Sequence, residues 1–88
     1  MNNLNEQQAW AVYSISEIMS EKRVVSLRRE VYCHNWQGQT IRVRKIVCIN
    51  TDTISVIAHP ASGLDDYPVD ITELDYKSLL KILDIISD

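Results

Sequence analysis

The stretch Val31-Tyr32-Cys33-His34-Asn35-Trp36-Gln37-Gly38-Gln39-Thr40-Ile41-Arg42-Val43 decides the fold. Val31, Cys33, Ile41 and Val43 alternate with Tyr32, His34, Thr40 and Arg42, which is the two-residue period of strands with one buried face. Gly38 supplies the left-handed position that a three-residue hairpin loop wants. A loop of Trp36, Gln37 and Gly38 pairs Asn35 with Gln39, sets Cys33 opposite Ile41 and Val31 opposite Val43, and keeps one face apolar. A two-residue loop would set Cys33 against Arg42 and mix the faces. The spacing therefore predicts the three-residue loop.

Working outward, the same parity runs back through Leu27 and Val25 and forward through Val47 and Ile49, then shifts to Ile54, Val56 and Ala58. A two-residue turn at Thr51-Asp52 brings Ile49 opposite Ile54 and Val47 opposite Val56. The expectation is a three-stranded antiparallel meander over about 25–35, 39–50 and 53–58, followed by a loop or short edge strand at 64–70. Parity also sends Arg29 and Lys45 to the core face. Either their stems snorkel at the sheet rim or a bulge resets the phase near them.

Before the meander, Leu4, Ala11, Val12, Ile15, Ile18 and Met19 recur at three- and four-residue steps and predict a helix over about 5–22. Asn3 with Glu6, or Asn5 with Gln8, supplies a capping box. Nothing before Trp36 forces this helix to stop, so a run through Val24 and Val25 stays open. After the meander, Leu79, Ile82, Leu83 and Ile86 form the core stripe of a last helix, widened by Leu80 and Ile85. Thr72 with Asp75 reads as its capping box, and Ile71 with Tyr76 as a hydrophobic staple. Helix, three-stranded antiparallel meander, helix is an α+β order, a two-layer sandwich in a single small domain over 1–88. A helix ahead of short, basic, alternating strands resembles the Sm-like barrels, which bind RNA as rings, in the order of elements alone. The capped last helix departs from that pattern, and no binding residues are carried over.

The 88 residues are 45% apolar and 24% charged, a globular balance. A chain so short buries only about 60–65% of its unfolded surface, which favours help from a partner or a second copy. Its start lacks a signal-peptide pattern, and no apolar run approaches the ~18–20 residues that span a bilayer. Two cysteines are too few for a disulfide scaffold, so the chain reads as cytoplasmic with reduced thiols.

Charge is segregated beneath a net of −3. From residue 22 to 45, seven basic residues meet one acid, Glu30, for +6; residues 46–88 carry two lysines and eight acids, for −6. Such asymmetry orients the choice of partner. On the meander, Tyr32, His34, Arg42 and Arg44 share the face opposite the core, Tyr32 across from Arg42, and Arg28 extends it. Cations interleaved with aromatics on an open sheet can hold phosphates and stack bases. The same arginines can instead meet the acids of residues 65–88, or those of a second subunit, and the acidic balance of the whole chain favours that. Trp10 and Tyr13, one turn apart on the first helix, either anchor a protein partner or wrap round a core that lacks phenylalanine, and core filling suits Tyr13 better.

Cys33, His34, Cys48 and His59 raise the question of zinc. Neighbours on a strand face opposite ways, Cys33 and Cys48 differ in parity, and there is no Cys-x-x-Cys, so no metal is expected. The acids Asp65, Asp66 and Asp70 around Tyr67-Pro68 lack the spacing of a calcium loop. No nucleophile elbow, phosphate-cradling loop or metallopeptidase pair is present, so no enzyme and no cofactor are expected. The sequence thus points to a non-enzymatic interaction or regulatory protein acting through protein–protein contacts and forming a homodimer, with a nucleic-acid-binding module as the alternative.

Overall fold

The computed structural model describes residues 5–49, 54–59 and 67–87. Its elements run α1 (Glu6–Lys22), β1 (Val24–His34), β2 (Thr40–Cys48), β3 (Ile54–His59), β4 (Tyr67–Asp70), a 3-10 turn Ile71–Glu73 and α2 (Tyr76–Ile86). The strands form one antiparallel sheet in the order β1-β2-β3-β4. This is the α+β order expected, and β4 realises the short edge strand. Both helices lie against one face, where Ala11, Ile15, Met19, Leu79, Ile82 and Ile86 meet Cys33, Val43, Ile46, Val56 and Ala58 in a single buried cluster.

The first hairpin has the expected register. Val31 pairs with Val43, Cys33 with Ile41, and His34 with Thr40. Asn35 N–H donates to Gln39 O at 3.1 Å, and Gly38 turns the loop at φ +83°. The Asn35 Oδ1 accepts from the N–H groups of Gln37 and Gln39, both at 2.9 Å, so this one side chain holds the loop's inner donors.

Further along the pair the parity rule breaks, and the break corrects the second register. Val31 opposes Val43, yet Ser26 opposes Lys45, so residues 27–30 bulge against Arg44 alone. A second shift on β2 between Val43 and Lys45 moves the pairing with β3 by one residue. Ile46 therefore faces Val56 and Cys48 faces Ile54, where Val47 with Val56 and Ile49 with Ile54 were expected. Ile46 and Cys48 are buried, Val47 turns to the other face, and Ile49 is exposed. Magnitudes explain the choice. An unbroken ladder buries the Lys45 ammonium at a cost of several kcal/mol. A bulge gives up ladder bonds worth about 1 kcal/mol each and buries Ile46 for a further gain of about 2 kcal/mol. Arg29 and Lys45 accordingly both stay exposed.

The helix ends follow local chemistry. Gln8 N–H donates to Asn5 Oδ1 at 2.8 Å and Asn5 N–H to Gln8 Oε1 at 3.3 Å, the second of the two capping boxes considered. The helix stops at Lys22 because Arg23 takes φ +67° and its N–H closes on Met19 O. The N-cap of α2 is Asp75, whose Oδ1 accepts from Ser78 N–H at 2.9 Å, one turn later than expected. Thr72 instead sits in the 3-10 turn capped by Asp70, since Leu74 is drawn into the core and bridges to Asn35. The turn at Thr51-Asp52, the Asn3–Glu6 cap, Leu4, and Asp65 with Asp66 lie outside the described residues.

The two left-handed positions make opposite predictions for chemical denaturation. A Cβ at Gly38 meets nothing within 4 Å, so Gly38→Ala registers backbone strain alone, a loss of about 1 kcal/mol. Arg23→Gly relieves the same strain and is expected to raise stability by up to about 1 kcal/mol. A Gly38→Ala protein as stable as the parent contradicts the loop assignment.

Candidate functional site

The face of the sheet away from the helices is the candidate. β1 and β2 place Tyr32 across from Arg42, and His34 beside Tyr32 across from Thr40. Beyond the bulge come Ser26, Lys45, Ile57 and Pro68 in one row, then Val24, Val47, Ser55 and Asp70 in the next. Tyr32 and Val24 are about half exposed, at 53% and 51%. Arg42 is half-buried, and its Nη1 lies 3.7 Å from Glu30 Oε1. At that distance and exposure the ion pair is worth under about 1 kcal/mol. Arg44 and Lys45 are exposed and, with Ser26, Leu27 and Ile57, line a recess of about 230 Å³ at the bulge.

Of the residues singled out in the sequence, Tyr32, His34, Arg42 and Arg44 thus belong to one surface. Arg28 does not extend it, because the bulge carries Arg28 and Arg29 to the outer edge of β1, against α2. Trp10 and Tyr13 lie apart on α1, 54% and 62% exposed, so Tyr13 does not fill the core as expected. Ala11, Ile15 and Met19 occupy the buried stripe and leave both rings on the solvent side. Parity missed Lys45, Val47 and Ile57. The one available signal was the lysine it sent into the core.

A second cluster resembles catalytic machinery by composition but is structural by geometry. Ser78, His34, Asp75, Cys33 and Lys81 converge where the start of α2 meets the outer edge of β1. Ser78 Oγ accepts the backbone N–H of His34 at 2.7 Å, Asp75 N–H donates to His34 O at 2.9 Å, and Lys81 Nζ donates to Tyr32 O at 2.8 Å. The Ser78 hydroxyl, the Asp75 N–H and the Lys81 ammonium thus satisfy backbone groups of an edge strand, as buried polar atoms must. Burial pushes the Cys33 thiol up, against weaker opposing effects of the Ser78 hydrogen bond and the Lys81 charge. Cys48 is buried on the same face as Cys33, which corrects the parity expectation; the bulge is the cause. The two stand opposite Ile41 and Ile54 at different ends of β2, roughly 20 Å apart along the strand. Among the described residues no cluster of three metal-ligating side chains occurs, and no helix is long and apolar enough to cross a membrane.

No protein-family model, curated protein or solved structure matches this chain.

The Cys33 environment predicts a protected thiol. In the folded protein Cys33 is expected to react with Ellman's reagent only as fast as the chain opens. Because the folded thiol holds its proton longer than the unfolded one, its contribution to stability is level below the ordinary thiol pKa of about 8.5 and falls as pH rises above it. Rapid labelling of Cys33 in native protein at neutral pH contradicts this packing.

Proposed function

We propose that this chain is a non-enzymatic interaction protein that pairs with a second copy of itself through the face of its sheet away from the helices. The observation that carries this is one-sided covering. Among the described residues, both helices occupy one face, while the other presents Val24, Val47 and Ile57 bordered by Tyr32, Arg42, Arg44 and Lys45. An apolar centre with a polar, charged border is how protein interfaces are built. Charge favours a second copy as occupant. That face holds Arg42, Arg44 and Lys45, with Asp70 in the Val24, Val47 and Ser55 row, and a two-fold pair lets the cations of one copy meet Asp70 of the other. Sedimentation at rising concentration is expected to show a monomer of 10.1 kDa giving way to a dimer. Salt should weaken that dimer. Val47→Glu, on an exposed-face position, is expected to weaken it at least about tenfold with the far-UV spectrum unchanged. A single monomeric species up to millimolar concentration sinks the proposal.

A second reading follows from Tyr32 standing directly across from Arg42, with Arg44 and Lys45 next on the strand. That array would stack a base and hold phosphates of single-stranded RNA or DNA. Binding should then fall steeply with salt, and Arg42→Ala should flatten the log–log slope by about 0.7. An absence of binding in low salt removes this reading.

A further inference from the structure

The bulge that shapes the open face also opens a groove on the molecule's other side. Val25, Leu27, Val31 and Ile85 floor a cleft of about 680 Å³ between the outer edge of β1 and the last turns of α2, with Arg28 and Arg29 at its rim. The four aliphatic side chains are each only partly buried, so the cleft is apolar and open to solvent. β1 is an edge strand, and its two halves are treated differently. Toward its end, Asp75, Ser78 and Lys81 satisfy the outward groups of Tyr32 and His34. Toward its start, Arg23 O accepts from Cys48 N–H and Val25 pairs with Ile46, so Arg23 and Val25 turn their backbone groups inward. Alternation then points the N–H and C=O of Val24 and Ser26 outward, where no strand among the described residues lies beside them.

We infer that this edge and groove bind an extended acidic–aliphatic peptide segment, which adds as a strand beside Val24–Ser26. It places an aliphatic side chain over Val25, Val31 and Ile85 and carboxylates on Arg28 and Arg29. Strand addition draws affinity from main-chain bonds and specificity from the pocket that takes alternate side chains. Alternating donors and acceptors on the edge suit a peptide backbone and would leave an acyl tail's methylenes facing unpaired polar groups. Charge selects the occupant. A second copy brought edge to edge would set its own Arg28 and Arg29 against these, which disfavours it, whereas a carboxylate-bearing strand is attracted. The groove opens on the helix side of β1, whereas self-pairing uses side chains of the other face; the two share the backbone of Val24 and Ser26, and neither depends on the other.

The test uses the full chain and a fluorescein-labelled, acetylated peptide of four Asp-Val repeats, followed by anisotropy. The expected result is saturable binding, at least about tenfold tighter than for the matched Lys-Val peptide, which keeps the strand propensity and reverses the charge. Arg28→Glu with Arg29→Glu should reverse that preference. Ser26→Pro removes an outward N–H that serves no bond within the sheet, so the protein should fold and bind the Asp-Val peptide about tenfold less well. Protection of the Ser26 amide from hydrogen exchange should appear only with peptide. Val47→Glu should leave peptide binding intact, so a failure of self-pairing and a failure of this site are told apart. No saturable binding in low salt, equal binding of the Lys-Val peptide, or full binding by Ser26→Pro overturns the inference.

Discussion

The structure depends on keeping the Lys45 ammonium out of a small core. In an unbroken strand Val43, Lys45 and Val47 would all point toward the helices. The shift at Arg44 instead brings Ile46 and Cys48 inside beside Ile41 and Val43, and leaves Arg44 and Lys45 both outside. β1 answers with the longer excursion of residues 27–30. Everything distinctive about the surface follows from that adjustment: the cationic run on the open face, the recess beside Lys45, and the groove on the far side of Leu27.

The second constraint is the seam between α2 and the edge of β1. A long edge strand exposes unpaired backbone groups, and proteins blunt such edges. Here the N-terminal turns of α2 do so with three side-chain or backbone donors and acceptors, from Asp75, Ser78 and Lys81. The Trp36 indole adds a bond from the hairpin loop to Thr72 O at 3.0 Å, which fixes the approach to the helix. The seam commits the Ser78 hydroxyl to the His34 backbone, while the His34 side chain lies on the open face beside Tyr32. Lys22 Nζ reaches Ile86 O at 2.6 Å, so the far end of α2 is tied to α1. Between these ties α2 stands off from the bulge, and the groove is the space that results.

The proposed interaction role rests on how side chains divide between the seam and the open face. The Ser78 hydroxyl and the Cys33 thiol are buried in the seam, while the open face presents cations, aromatics and aliphatics. Those residue types recognise partners by charge and area.

Local chemistry in the chain determined the secondary elements and the first hairpin. Asn5 with Gln8, Gly38 after Trp36-Gln37, and the stripe Leu79, Ile82, Ile86 each act within a few residues, so their signals survive without knowledge of the rest. Tertiary structure alone decided the second register, the inward place of Cys48, the outward places of Val47 and Tyr13, and the move of the helix cap from Thr72 to Asp75. Each of those choices compares burial at distant positions, such as Ile46 against Lys45 or Leu74 against Asn35. A period of two cannot record that comparison, because one extra residue in a strand reverses every face beyond it. The candidate surface was legible in the same proportion: Tyr32 and Arg42 before the bulge were placed correctly, while Lys45, Val47 and the true position of Arg28 lay beyond it.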